Sequence, residues 1–145
     1  MGDCYRAILA IPKKRLKDIQ NLPSYKEVTE KSLVLEDNGV IYIEDEHALD
    51  GRFHTLEADL IALKIPFDRV SSGYLEMQPE ERRYRPATDK TNAIDTTITL
   101  DNDYDPYIKI KDLKKILHLP PADFKKQVKR LINSTYPDLP EISGK

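Results

Sequence analysis

The chain is expected to fold as a single α+β domain, with a mixed or antiparallel sheet, two hairpins and helices on one face. Three observations point there. The pair Asn38-Gly39 joins two runs of β-branched, aliphatic and aromatic residues, the strongest short-range signal for a hairpin, because both residues tolerate positive φ. The stretch 55–64 places Leu56, Leu60 and Leu63 on one helical face, the spacing of a helix laid against a sheet. The length, 145 residues, fits one domain of the common size and can bury a core without a disulfide or metal.

Taken in order, residues 5–11 are apolar and read as a strand, stopped by Pro12, which lacks a backbone donor. A helix is expected over 13–22, with Leu16 and Ile19 inward, ending before Pro23. The hairpin spans 32–45, with Leu33, Val34 and Leu35 facing Val40 to Ile43. After a loop at Asp50-Gly51 comes the helix over 55–64, ended by Pro66. A second hairpin is expected, with strands at 67–70 and 74–78 around Ser71-Ser72-Gly73. Residues 80–95 show no periodicity and contain Pro86, so they read as loop with room for a short strand near Tyr84. Alternating β-branched residues at 96–100 suggest another strand.

The C-terminal part differs. Helices are expected over 111–119 and 122–133, separated by Pro120-Pro121, with Pro121 suited to the second helix's entry. The domain is thus expected over 1–133, with a basic helical hairpin at 108–133. Residues 134–145, which hold Pro137, Pro140 and Gly144, read as an irregular or mobile tail.

Composition excludes several classes. Apolar residues make up 39% and charged residues 33%, with a formal net charge of −2, too apolar and too neutral for a disordered chain. No apolar run reaches membrane-spanning length, and the N-terminus carries no signal-peptide pattern. A cytoplasmic protein is therefore expected. A single cysteine, Cys4, cannot form an internal disulfide and suits a small strand residue. The near-neutral total hides segregation: residues 36–59 hold eight acids and one base, whereas 108–132 hold eight bases and two acids.

Candidate sites follow from that segregation. Glu36, Asp37, Glu44, Asp45 and Glu46 spread carboxylates along the first hairpin, an arrangement that can imitate a phosphate array and attract a basic partner. Arg82, Arg83 and Arg85 interleave with Tyr84 and can pair with phosphates or carboxylates. Lys125, Lys126, Lys129 and Arg130 share one stripe of the last helix and could neutralise several phosphates. The acids of 101–105 with Asp112 resemble the opening of a calcium loop, but Pro106 stands where such a loop needs glycine. His47, His54 and Asp50 would support hydrolysis only if they converge. No phosphate-binding glycine loop, nucleophile elbow or zinc spacing occurs, so no catalytic residue, metal or cofactor is expected.

One stretch resembles known proteins. Leu56-Glu57-Ala58-Asp59-Leu60, then Ile65-Pro66-Phe67-Asp68-Arg69, the Ser71-Ser72-Gly73 turn and Arg83-Tyr84-Arg85-Pro86 are similar to small uncharacterised proteins of bacterial phages and plasmids. The resemblance implies an accessory role for a mobile element, including inhibition of host defence of the anti-CRISPR type, and transfers no site residue. The expected function is a non-enzymatic binding protein that inhibits or modulates a host protein or nucleoprotein machine. Its partner surface would be the acidic set with Arg82, Arg83 and Arg85. The alternatives are a DNA- or RNA-binding regulator using the basic helices, and a small hydrolase or metal-binding protein.

Overall fold

A computed structural model describes residues 2–143 and confirms the α+β class. Six strands form one antiparallel sheet in the order β2-β3-β1-β4-β5-β6. They are β1 Cys4–Pro12, β2 Leu33–Asp37, β3 Val40–Leu49, β4 Phe67–Ser71, β5 Glu80–Arg85 and β6 Ile94–Thr99. The helices are α1 Leu16–Ile19, α2 Pro23–Glu30, α3 His54–Ala62, α4 Ile110–Ile116 and α5 Pro121–Thr135.

The first hairpin forms as expected, with Asp37 opposite Val40 and both turn residues at positive φ, 49° for Asn38 and 80° for Gly39. Beyond the expected end at residue 45, β3 continues to Leu49 because β1 stays paired with it that far, through an irregularity between Tyr5 and Ala7. Three expectations need correction. The helix over 13–22 is a 3-10 turn followed by the short α1, and Pro23 opens α2 rather than closing a helix. At the first helical position the missing N–H costs nothing and the fixed φ is already helical. The second hairpin does not use 74–78, where Tyr74 and Met77 close only a tight turn. Instead β4 pairs with β5, built from residues expected to be loop, and β5 pairs in turn with β6. An interior strand made of Glu80-Glu81-Arg82-Arg83-Tyr84-Arg85 hides from hydropathy, since almost every side chain in it is charged.

One face of the sheet carries the core. Ala7, Leu9 and Ile11 of β1, Ile41 and Ile43 of β3, Phe67 of β4 and Tyr84 of β5 meet Ile19, Leu56, Leu60 and Ile65. Leu16, Tyr25 and Val28 of α1 and α2 close the layer. Ser24 of α2 donates to the Asp59 carboxylate of α3 at 2.5 Å, tying two helices together.

The opposite face receives the C-terminal tail, which lacks regular structure beyond Tyr136 yet is packed. Ile142 is buried against Ala10 and Val40, and the carbonyls of Pro137 and Pro140 accept hydrogen bonds from Arg83 and Arg85. Gly144 and Lys145, the end of that tail, lie outside the described residues. By contrast, neither α4 nor α5 contains a buried residue.

Candidate functional site

Strand alternation sorts the charged residues before any other force acts. In β4, Phe67, Arg69 and Ser71 point to the helix-covered face, so Arg69 enters the core with a side chain only 1% exposed. A buried guanidinium demands compensation. Its Nε donates to Glu57 Oε1 at 3.0 Å and its Nη1 to Glu80 Oε1 at 2.9 Å. Nη1 also bonds Ser71 Oγ and reaches the carbonyl of Gly51 at 3.3 Å. Gly51 has φ 63°, and a Cβ there would collide with the Tyr5 ring, so the carbonyl can approach only because the residue is glycine. The other oxygen of Glu57 accepts the Phe53 N–H at 2.6 Å, fastening the start of α3.

Arg82 extends this network. It reaches Glu57 Oε1 at 3.3 Å and grips Asp95 of β6 with two hydrogen bonds of 2.9 and 2.7 Å. The Asp95 hydrogen bond raises the Arg82 pKa above its ordinary value. On the other face, Arg85 binds Asp68 at 2.8 Å and the Pro140 carbonyl at 2.6 Å. Arg83 stacks over the Tyr136 ring at 3.8 Å. Beside it, the Tyr136 hydroxyl donates to Glu81, whose pKa is raised by burial. The three candidate arginines are thus brought into the fold's interior contacts and do not form one outward patch.

The acidic set is divided as well. Glu36 pairs with Lys13 at 2.6 Å and Glu44 with Arg6 at 2.5 Å. The Arg6 hydrogen bond holds Glu44 below its ordinary pKa. Glu46 lies 3.8 Å from the same Arg6. Asp45 is buried and accepts the His47 N–H at 2.9 Å, with Lys31 at 3.7 Å. Asp37, beside the hairpin turn, is exposed and makes no ion pair among the described residues.

The basic helices are the exception. Lys125, Lys126, Lys129 and Arg130 are all exposed on α5, and none enters an ion pair among the described residues. Phe124, Val128 and Leu131 lie half-buried on the other side of the helix, so the charged stripe faces solvent by the same periodicity that turns the apolar one inward. Among the described residues, the ion pairing of 108–132 amounts to Lys115 with Asp112, both in α4, at 3.7 Å. None of the eight bases forms an ion pair with the acidic segment among the described residues.

Other candidates do not converge. His54 lies 3.6 Å from Asp50, both about half exposed, while His47 stands exposed on β3. Asp101 Oδ1 accepts the N–H groups of Asp103 and Asp105, each at 2.9 Å, an ordinary aspartate turn. Among the described residues no group of His, Cys, Asp and Glu is placed to hold a metal, and no helix is long and apolar enough to cross a membrane. An open groove of about 780 Å³ lies along the tail; in its lining Arg6 is engaged with Glu44, Arg85 with Asp68 and Glu81 with Tyr136, whereas Asp37 in the same lining pairs with no cation among the described residues.

The Glu57–Arg69–Glu80 cluster escaped the sequence reading. Its signal was present, since alternation puts Arg69 on the side of Phe67, and a buried arginine implies a carboxylate nearby. Compared with known proteins, the chain matches no family model, no curated protein and no solved structure.

Proposed function

We propose that this chain is a non-enzymatic binding protein whose partner is a nucleic acid, free or held in a nucleoprotein machine, contacted through α5. The observation that carries the reading is the unequal pairing of the two charged segments. Carboxylates of the acidic segment are held by Arg6, Lys13, Lys31, Arg69 and Arg82. Among the described residues no carboxylate pairs with Lys125, Lys126, Lys129 or Arg130, which lie on one exposed stripe. Four cations along about one and a half helical turns match a run of backbone phosphates, and their contact releases condensed counterions. The stripe offers lysines, which act as point charges, rather than side chains that read base edges, so binding should be indifferent to sequence. Inhibition of a host machine, the role implied by the phage and plasmid resemblance, fits the same surface if the nucleic acid belongs to that machine. Capture of a protein by the acidic hairpin has less support, because among the described residues Asp37 alone in that set stands outside the internal pairing.

A salt series on binding to random-sequence duplex DNA tests the proposal. The slope of log affinity against log salt is expected near −3 to −4, roughly four phosphate contacts. The pair Lys125→Glu and Lys129→Glu should lower affinity at least about tenfold while the melting temperature stays unchanged, as for exposed substitutions. If wild type shows no binding at low salt, or the reversal leaves the slope intact, the reading fails.

A further inference from the structure

The two edges of the sheet are treated differently. Beside β6, residues Tyr107 to Asp112 and the end of α5 form a recess with Ile98 and Thr99. Beside β2 there is no further strand among the described residues, and its apolar side chains are open: Leu33 is 56% exposed, Val34 41% and Leu35 55%. Edge strands are normally blunted by charge, proline, a bulge or a cover. Here Glu36 and Asp37 guard one end only, and the apolar half carries no such device.

We infer that β2 pairs with β2 of a second copy of this chain, antiparallel about a two-fold axis, with Val34 opposite Val34 of the second copy. The backbone selects the parity. Across a two-residue turn the flanking pair, Asp37 and Val40, is hydrogen-bonded, so by alternation Leu35 and Leu33 also turn their polar backbone groups toward β3. The N–H and C=O of Val34 and Glu36 therefore face the open edge.

Side chains then select the register. Setting Glu36 against Glu36 of the second copy opposes like charges, which destabilises a cross-strand pair. Setting Val34 against Glu36 of the second copy puts apolar residues opposite acids on both faces of the sheet. Setting Val34 against itself places Leu33 opposite Leu35 of the second copy and Ser32 opposite Glu36. It also brings Lys31, at the end of α2, next to Asp37 of the second copy. Lys31 has a side chain 58% exposed and only a 3.7 Å contact to Asp45, so it can turn to that carboxylate. Among the described residues, Asp37 is the carboxylate of the hairpin without an ion-pair partner, since Glu36, Glu44 and Asp45 each meet a base. Leu33 and Leu35 share a sheet face with Tyr42, itself 36% exposed, so the two copies would join their apolar strips into one. This inference does not depend on the nucleic-acid reading, since α5 takes no part in the contact.

The contact is self-complementary, as a two-fold interface must be. It is also small, and interfaces under about 1,200 Å² lie at the weak, transient end. Sedimentation equilibrium from about 10 μM to 1 mM is the test. Wild type should shift from monomer to dimer across that range. Val34→Lys opposes two cations at the axis and Val34→Pro removes the outward N–H without touching the β2–β3 ladder, so each should weaken the dimer at least tenfold. Asp37→Lys should weaken it as well, by placing like charges together, and adding Lys31→Glu should restore it to within about threefold of wild type. Thermal melts of every variant separate lost pairing from lost folding. Wild type remaining monomeric at 1 mM overturns the inference. So does a dimer unaffected by both Val34 variants. Failure of the charge swap to restore pairing, in a variant that still melts as wild type, overturns the register.

Discussion

Arg82, Arg83 and Arg85 of β5 and the basic stripe of α5 are both dense cationic runs, and the fold gives them opposite roles. β5 is an interior strand, so its side chains alternate between the α3 layer and the C-terminal tail, and every guanidinium meets an acceptor or a ring. α5 presents its charges to solvent on one side only. A planar guanidinium with five donors can satisfy carboxylates and carbonyls together in a confined space, whereas an ammonium is hydrated too strongly to be buried cheaply. The difference teaches that charge density along a sequence does not measure charge available for binding. What decides it is whether the backbone beneath has one covered face or two.

The strongest way to break that contrast is at the centre of the sheet's network. Arg69→Met leaves Glu57, with a side chain 2% exposed, short of its nearest cation. Glu57 keeps Arg82 at 3.3 Å and the Phe53 N–H, so the loss should fall at the lower end of the about 3–5 kcal/mol typical of orphaning one member of a buried pair. Denaturant unfolding should show a loss of that order, and a loss below about 1 kcal/mol would mean the network is not a structural anchor.

Next in size is the tail. Truncation after Tyr136 removes Ile142 from Ala10 and Val40 and takes the Pro137 and Pro140 carbonyls from two arginines. Loss of one buried aliphatic side chain is worth roughly 2 kcal/mol. Calorimetry on the shortened chain should register it; an unchanged melting temperature would show that the tail contributes nothing to the sheet.

The smallest effect concerns Glu81. Burial raises its pKa, so the folded chain holds this proton more tightly than the unfolded one. Its contribution to stability is therefore full below the ordinary carboxyl range and is lost as pH rises through the raised value. Glu81→Gln should stabilise the protein at pH 7 by about 0.5 kcal/mol or less, given partial solvent screening, and the gap should close as pH falls toward about 4. Unfolding curves at several pH values would reveal a gap that is constant or reversed, either of which contradicts the assignment.

Much of the architecture was legible because local patterns carry it. The Asn38-Gly39 turn names its own hairpin, the leucines of α3 declare a helix, and Pro121 with the apolar spacing of Phe124, Val128 and Leu131 marks α5. β5 was not legible, because hydropathy takes a run of glutamates and arginines for loop. α2 is hidden in the sequence because a proline marks a helix end as readily as a helix start, and Pro23 serves as a start. Of the candidate surfaces, the α5 stripe could be read directly, since helical periodicity alone orients it. The exposure of Leu33, Val34 and Leu35 could not, since an apolar triplet looks the same in an interior strand as at an edge.

The sequence by itself determined which segments can be strand or helix, where the tightest turn lies, and that acid and base are segregated along the chain. Those are properties of neighbouring residues, set by sterics, periodicity and composition. Only the tertiary structure decided which strands are interior, which arginines are buried beside which carboxylates, and which charges remain unpaired. Strand order joins residues far apart in the chain: Arg85 meets the Pro140 carbonyl 55 positions away. Such pairings are chosen by the energy of the whole fold, because a buried charge is tolerable only where some distant segment supplies its partner.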